Sequence, residues 1–359
     1  MDGVKLPSCD VFVIGGGPVG LAAAIAARRK GLRVAVADAL EPPIDKSCGE
    51  GILPDGVAAA AGLGVDLAAI PSCRLRGIRF HGAGITASAD FPERAGRGVR
   101  RTALHRALVE HAEQSGVSLC WKTTLAGFEE IDAAWIIGAD GMASGVRAWA
   151  GLDGVRRDSR RYGFRVHFER APWSEYVDIH WGDGCQIYVT PVGLEEVGVA
   201  LLTRDSKVRV AEALRRFPAL QEKLAGAPVC SRERGGLTSS RRLHRVTTRQ
   251  GEVTVALIGD ASGSVDAISG EGLCLGFHQA IALADAIEWG DPGYYESVHA
   301  RLSRRPRMMA DLMLAMDHFP WLRRRVLPTL AGHPELFARL LATHVGASSL
   351  ARFGNRVAY

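Results

Sequence analysis

Apolar positions fall into two textures along the chain. In the first, short unbroken apolar runs are joined by alanine-rich stretches. Residues 10–14 are such a run, β-branched and without polar alternation, the pattern of a strand covered on both faces. A glycine turn follows, then residues 21–30 read as a helix that stops at Gly31 with basic residues in its last turn. Residues 33–37 form a second buried strand with Asp38 at its end, completing a βαβ unit. Residues 134–138 and 253–258 repeat the apolar run, leading into Ala139-Asp140-Gly141 and Gly259-Asp260.

The second texture has period two. Residues 163–168, 177–181, 186–190 and 197–202 alternate in the manner of half-covered antiparallel strands, and one helix is expected over 207–225. Residues 73–90 read as short strands with glycine turns. Residues 53–70 read as a helix interrupted by Gly62 and Gly64. A further helix over 101–115 carries Leu104, Leu108 and Ala112 on one face. The last seventy residues read as helices punctuated by Pro306, Pro320, Pro328 and Pro334.

The expected architecture is α/β. Residues 1–72, 97–152 and 246–290 make a discontinuous Rossmann-like nucleotide domain. Residues 73–96 and 153–245 make an inserted, mainly antiparallel β-sheet substrate domain, and 291–359 a helical C-terminal segment.

Composition narrows the class without naming a chemistry. The chain has 359 residues, 47% hydrophobic and 23% charged, as in a soluble globular protein. The net charge of +5 is mild and partly local to Arg304, Arg305, Arg307 and Arg323–Arg325. With no basic stripe interleaved with aromatics, a nucleic-acid partner is not expected. Seven scattered cysteines form no C-x-x-C pair and fit reduced thiols in the cytoplasm; no metal site is expected. No apolar run reaches the roughly 18 residues of a membrane span.

The first chemistry lies in Gly15-Gly16-Gly17-Pro18-Val19-Gly20. Gly15 permits the tight turn, Gly17 lets backbone approach a pyrophosphate, and Gly20 lets helix pack on strand. Pro18 opens the helix, whose free N–H groups attract phosphate. Asp38 stands where a ribose hydroxyl is recognised. Strand, turn, helix, strand and acid in order point to a dinucleotide, NAD or FAD alike.

Two further motifs carry a resemblance. Gly138-Ala139-Asp140-Gly141-Met142-Ala143-Ser144-Gly145-Val146-Arg147 and Leu257-Ile258-Gly259-Asp260-Ala261-Ser262-Gly263 resemble the two aspartate fingerprints of the flavoprotein hydroxylase (p-hydroxybenzoate hydroxylase-like) superfamily. Arg101 resembles the arginine that these enzymes place near the flavin. The resemblance implies FAD, with Asp140, Gly141, Gly259 and Asp260 in its site. Ser269-Gly270-Glu271-Gly272-Leu273 opens a helix whose N–H groups would stabilise charge on the reduced ring, with Gly270, Gly272 and Leu273 at close approach.

The run from Gly259 to Gly272, and Lys46-Ser47-Cys48-Gly49-Glu50-Gly51, look like the geranylgeranyl reductase and dehydrogenase branch. Gln186-Ile187-Tyr188-Val189-Thr190-Pro191 keeps the tyrosine and proline of that branch's sheet motif but not its tryptophan and phenylalanine. The halogenase Trp-x-Trp-x-Ile-Pro is missing. Cys48, Glu50 and Tyr188 are the candidate catalytic residues, Glu50 being the better general acid if burial raises its pKa.

The resemblance implies a FAD-dependent oxidoreductase acting on an apolar small molecule, an isoprenoid or alkylated phenol. The leaning is to a reductase or dehydrogenase with hydride transfer at flavin N5. The alternative is a monooxygenase using a C4a-hydroperoxide, and a further one is a non-catalytic flavin-binding redox module. NAD(P)H is the expected electron donor. The stretch 318–327, aromatic and basic, reads as a helix packed on the flavin domain, with peripheral contact to an anionic membrane as the second reading.

Overall fold

The computed structural model describes residues 6–152, 156–157, 160–238 and 240–346. The outer ends of the expected domains, 1–5 and 347–359, and part of the 153–160 junction lie outside the described residues.

The unbroken apolar runs assemble into one six-stranded sheet. Its order is Thr247–Gln250, Val253–Leu257, Ala133–Gly138, Cys9–Ile14, Val34–Asp38, Ser118–Trp121. All neighbours are parallel except the edge strand Thr247–Gln250, which hairpins back on Val253–Leu257. The central strand is buried on both faces, with Val11, Phe12 and Val13 wholly inaccessible. The helices Pro18–Arg29, Arg101–Gln114 and Gly272–Trp289 pack beside it. Val19 is gripped between two of them: a methyl group on Gly276 would lie 2.4 Å from its side chain. Strand ends carrying Gly15, Asp38 and Asp140 therefore gather at one edge, the crevice where open α/β sheets bind ligands.

The alternating segments form a seven-stranded sheet ordered Arg234–Thr238, Arg161–Glu169, Glu196–Thr203, Cys185–Gly193, Tyr176–Trp181, Gly77–Gly82, Ile85–Asp90. It is antiparallel throughout except between Tyr176–Trp181 and Gly77–Gly82. Phe164, Val166, Phe168, Ile187, Val189, Val199 and Leu201 pack on one face under Val210, Ala213, Leu214 and Leu220. The expected helix over 207–225 is two short ones, Val210–Leu214 and Pro218–Lys223. Pro218 lacks the N–H to continue the first, and Phe217 ahead of it is driven out of helical backbone. Gly51–Ile52, Gly96–Gly98 and Cys73–Leu75 form a small antiparallel sheet between the large ones, so residues 73–75 pair with neither.

The opposite face of the seven-stranded sheet is polar and buried. Arg161, Arg165 and His167 alternate with the apolar residues of their strand and are at most 2% exposed, as are Gln186 and Thr190 beside them. Asp317 holds this underside to the C-terminal segment. It accepts from Arg161 Nη1 at 3.0 Å, from Arg204 Nε at 3.0 Å and from the Gln186 amide.

Among the described residues the C-terminal segment is three long helices, Pro292–His318, Pro320–Gly332 and Pro334–His344. Pro320 and Pro334 open helices, but Pro306 and Pro328 sit inside them and end nothing. The expected packing of 318–327 on the flavin domain is corrected. Leu327 reaches Gly82 and the Phe337 ring lies tilted against Phe80 at 4.9 Å, both on the strand-rich sheet, while the first of the three helices packs along Gly272–Trp289. Arg323 is drawn inward to the Gly182 carbonyl and Asp183, leaving Arg324 and Arg325 exposed.

Candidate functional site

The glycine turn is shaped by contacts that leave no room for side chains except at one place. A methyl group on Gly20 would sit 1.9 Å from the Gly15 carbonyl oxygen, and one on Gly15 2.5 Å from the backbone of Ala139. At Gly17 a methyl group meets nothing within 4 Å. Gly17 is the N-cap of the helix, extended at φ −68°, with Pro18 following. The open side of this backbone, aimed along a helix axis, is where a pyrophosphate fits.

Asp38 accepts the Gly16 N–H at 2.7 Å and the Leu40 N–H at 2.8 Å, which holds its carboxylate over the turn. His105, which the motif reading passed over, donates from Nε2 to the Gly16 carbonyl at 2.8 Å. Its Nδ1 faces the Ile44 N–H at 3.4 Å, and burial lowers its pKa. One turn after Arg101 on the same helix, it could have been found from the i, i+4 spacing.

Arg101 begins its helix, and its Nε is buried without a partner. The same holds for Oδ1 of Asp140, whose Oδ2 accepts the Val146 N–H at 3.1 Å. Two orphaned polar atoms of opposite kind beside an open glycine turn are what a dinucleotide's hydroxyls and ring edge would satisfy. Arg147 ties the two aspartate turns together by donating to the carbonyls of Met142, at 2.9 Å, and Ala261, at 3.1 Å. Gly141 and Gly259 both have positive φ, and the Gly259 N–H is held by Gln279 at 2.9 Å.

Asp260 is exposed, but the protein packed around it raises its pKa by desolvation, opposed by the charges of Lys46 and Arg101. The Lys46 amine also lies within 3.3 Å of where a Gly141 side chain would begin. Lys46 is thus a cation of the cleft, brought there by a loop far away in sequence. Gly270 and Gly272 are exposed with open space before them, and Leu273 is half-buried on the first turn of the Gly272 helix.

The three candidate catalytic residues take different places. Glu50 is 2% exposed and has left-handed backbone, φ +59°, uncommon for a residue with a side chain. Its Oε1 accepts the Arg101 N–H at 2.8 Å, and its Oε2 lies 2.6 Å from Nε2 of His167. The Glu50 N–H points to the half-buried Cys48 sulfur at 3.4 Å. Cys48 and Glu50 are therefore together at the Arg101 helix start. Tyr188 is not with them: its hydroxyl donates to the Ile268 carbonyl at 2.8 Å, and burial raises its pKa. In this arrangement Tyr188 ties the sheet to the loop before Gly270, so its proton is already engaged.

Behind that loop, burial pushes Glu271 up to about 8, with the Asp55 charge adding to the rise, while His344, 3.4 Å away, is pulled down to about 4 by burial and Arg305. His180 and His299 are lowered to about 4 as well, chiefly by burial. Between pH 4.5 and 6.5 the unfolded chain binds protons that these three native histidines refuse, as His105 and His278 do to a lesser degree, outweighing those that Glu271, Asp260 and Asp55 retain. Stability therefore rises with pH there. From pH 6.5 to 8 the histidines are neutral in both states, Glu271 still holds its extra proton in the native state, the raised pKa values of Asp260 and Asp55 act in the same direction, and stability falls. Urea unfolding at pH 5, 6.5 and 8.5 is expected to give the highest midpoint at 6.5; a monotonic trend would contradict this balance.

Residues 8–130 match the model of a FAD binding domain. Over 321 residues the chain is 27% identical to a menaquinone reductase of Mycobacterium tuberculosis, covering 79% of this chain and 78% of that one. It is also 27% identical over 324 residues to a digeranylgeranylglycerophospholipid reductase of Methanothrix thermoacetophila, covering 79% and 80%. Among solved structures, a p-nitrophenol 4-monooxygenase from Pseudomonas putida superposes with a TM-score of 0.75 at 20% identity, over 95% of this chain and 98% of that one. A flavin-dependent brominase superposes at 0.73 with 16% identity, over 97% and 99%. These two share the fold.

Proposed function

We propose that this chain, a FAD-dependent oxidoreductase whose residues 8–130 match the model of a FAD binding domain, is a reductase of an apolar isoprenoid substrate, with NAD(P)H as electron donor. The observation that carries this reading is the meeting of Cys48 and Glu50 at the start of the Arg101 helix. Saturating a carbon–carbon double bond needs a hydride on one carbon and a proton on the other. FAD, when bound, supplies the hydride. The chain supplies the proton, from Glu50 or from the adjacent Cys48 thiol. Arg101 and Lys46 face the same cleft as Asp260 and stabilise negative charge that develops there. The named relatives are reductases of two isoprenoid molecules, menaquinone and a digeranylgeranyl lipid, which supports this substrate class.

The test is a single turnover. Protein loaded with FAD is reduced anaerobically by NADPH, or by dithionite, and given menaquinone or a geranylgeranyl lipid in detergent. Return of the oxidised flavin spectrum with a product that gains two hydrogens and no oxygen is expected. A product that gains oxygen on admission of air would replace the reductase reading with hydroxylation.

An isoprenoid substrate resides in a bilayer, and the C-terminal helices offer a surface for one. Met308, Leu312, Phe319, Trp321, Leu336 and Leu340 are each at least 36% exposed, with Arg324 and Arg325 exposed among them. No helix among the described residues is long and apolar enough to cross a membrane, so we infer peripheral contact. The protein is expected to sediment with anionic vesicles and not zwitterionic ones, and Trp321→Ala with Phe319→Ala to weaken that binding about tenfold. Equal binding to both vesicle types would remove the electrostatic part of the proposal.

A further inference from the structure

Glu271 is the N-cap residue of the Gly272–Trp289 helix, yet its side chain caps nothing and is turned into the protein, 3% exposed. Its Oε2 faces Nδ1 of His344, the last residue of the Pro334–His344 helix, at 3.4 Å. Both atoms are buried and neither has another hydrogen-bond partner. A carboxylate and the lone pair of a neutral imidazole cannot be left facing each other in an apolar interior, so a proton stands between them.

The surroundings decide which of the two owns it. Ser269 hydrogen-bonds both residues, its side chain to Glu271 and its backbone to the His344 ring. The backbone bond favours a proton on the ring, and since Nδ1 is unpartnered that proton is on Nε2. Nδ1 is then the acceptor and the Glu271 hydroxyl the donor. Burial, the largest influence on each, favours the neutral form of both. Asp55 of the Pro54–Gly62 helix strengthens the hold of Glu271 on its proton, and Arg305 of the Pro292–His318 helix discourages a second proton on His344. Arg305 also favours a Glu271 carboxylate, but it is shared with Asp55, which it faces at 3.8 Å, and burial outweighs it. His278 completes the cluster, 3.9 Å from Asp55, and burial keeps the neighbouring Cys274 thiol neutral.

We propose that Glu271 and His344 form a neutral latch, a carboxylic acid donating to an imidazole, that fastens the C-terminal helix to the loop at residues 269–272 and keeps negative charge off the start of the helix beyond it. The latch has a window. Below about pH 4 the ring takes a second proton and accepts nothing; above about pH 8 Glu271 gives its proton to solvent and donates nothing. The Gly272–Trp289 helix has no acid in its first turn, so while Glu271 is neutral its positive end has no counter-charge. That end stays available to negative charge on a bound cofactor, which FAD acquires on reduction. Glu271 is thus a positioning residue that acts through the helix start, and its ionisation makes reduction of bound FAD less favourable. The latch draws on the binding of FAD only for this last step, and nowhere on the reductase reading.

The latch is tested first in the full chain without cofactor. Nitrogen NMR at pH 6.5 should show His344 neutral with its proton on Nε2; an imidazolium, or the Nδ1–H form, would overturn the latch. Hydrogen exchange of the Pro334–His344 amides, corrected for the intrinsic rate at each pH, is the second measurement. Protection should fall about tenfold between pH 6.5 and 9 in the wild type and change less than about twofold in Glu271→Gln, whose amide can donate to Nδ1 but cannot ionise. Equal protection at both pH values in the wild type, or an equal fall in the variant, would show a packing contact alone and overturn the proposal. With FAD bound, the midpoint potential of the wild type should drop more steeply through pH 8 than that of Glu271→Gln; parallel lines would overturn the electrostatic role. If Glu271→Gln does not fold, the wild-type NMR and exchange still decide the latch, and a break near pH 8 in the wild-type potential, present or absent, decides the rest. None of these measurements uses a lipid substrate, so failure of the reductase reading would leave them standing.

Discussion

Gly17→Asp is expected to fold normally and to purify without flavin colour. A side chain at Gly17 meets no protein atom within 4 Å, and the residue already has the extended N-cap conformation in which aspartate is among the preferred residues. The helix should therefore be no less stable than before. The new carboxylate, however, stands in the space left for the pyrophosphate and repels it. A loss of FAD affinity of about 100-fold, about 2.7 kcal/mol, should be seen by fluorescence titration of the apoprotein. Gly20→Ala is the contrasting variant, since its methyl group would press on the Gly15 carbonyl at 1.9 Å and disturb the turn itself. It should lower the melting temperature even before FAD is added. Should Gly17→Asp bind FAD as the wild type does, the open face of the turn is not the cofactor's seat.

Asp317→Ala should be the most destabilising single change outside the cofactor site. The Asp317 side chain is wholly buried and accepts from Arg161, Arg204 and Gln186, of which Arg161 and Gln186 are buried with it. Removing the carboxylate takes the nearer of two counter-charges from the buried Arg161 guanidinium, Asp266 remaining 3.8 Å from it, at a cost of about 3 kcal/mol. Arg204 is half-exposed and can turn to water. The double variant Arg161→Met with Asp317→Leu removes that ion pair, and part of the loss should return, less what is due to Gln186, which still lacks the Asp317 carboxylate, and to the buried Asp266, which loses the Arg161 charge. Urea midpoints of the three proteins provide the measurement. A single variant with the wild-type midpoint would mean that the network contributes nothing to stability.

What was readable in advance follows the range of the interactions. The strand at residues 9–14, the glycine turn and Asp38 lie within thirty residues, and their apolar run, backbone demands and spacing are local properties. The period-two segments were equally plain. The charged half of Arg161–Glu169 was not, because Arg161, Arg165 and His167 have the spacing of an ordinary solvated face. They are buried since their counter-charges, Asp45, Glu50 and Asp317, arrive from 117 to 156 positions away. His105 and Lys46 were passed over for the same reason: each acquires its role from a turn that another segment brings to it. The helix expected over 207–225 failed on a local signal that was present but underweighted, the proline at 218.

Three ties that join the strand-rich sheet to the loops of the cleft end on main-chain oxygens: Tyr188 on Ile268, Thr190 on Gly49 and Arg165 on Lys46. A carbonyl oxygen is present whatever side chain its residue bears. Residues 46 and 49, both exposed, can therefore be exchanged without unfastening the two sheets, provided the backbone keeps its course, whereas Ile268 is wholly buried and must stay apolar. Such a seam separates the part of the protein that must stay put from the part that selects what is bound. A library of variants restricted to those exposed loop side chains should yield an unusually high proportion of folded proteins, and is a sound starting point for changing what the chain binds.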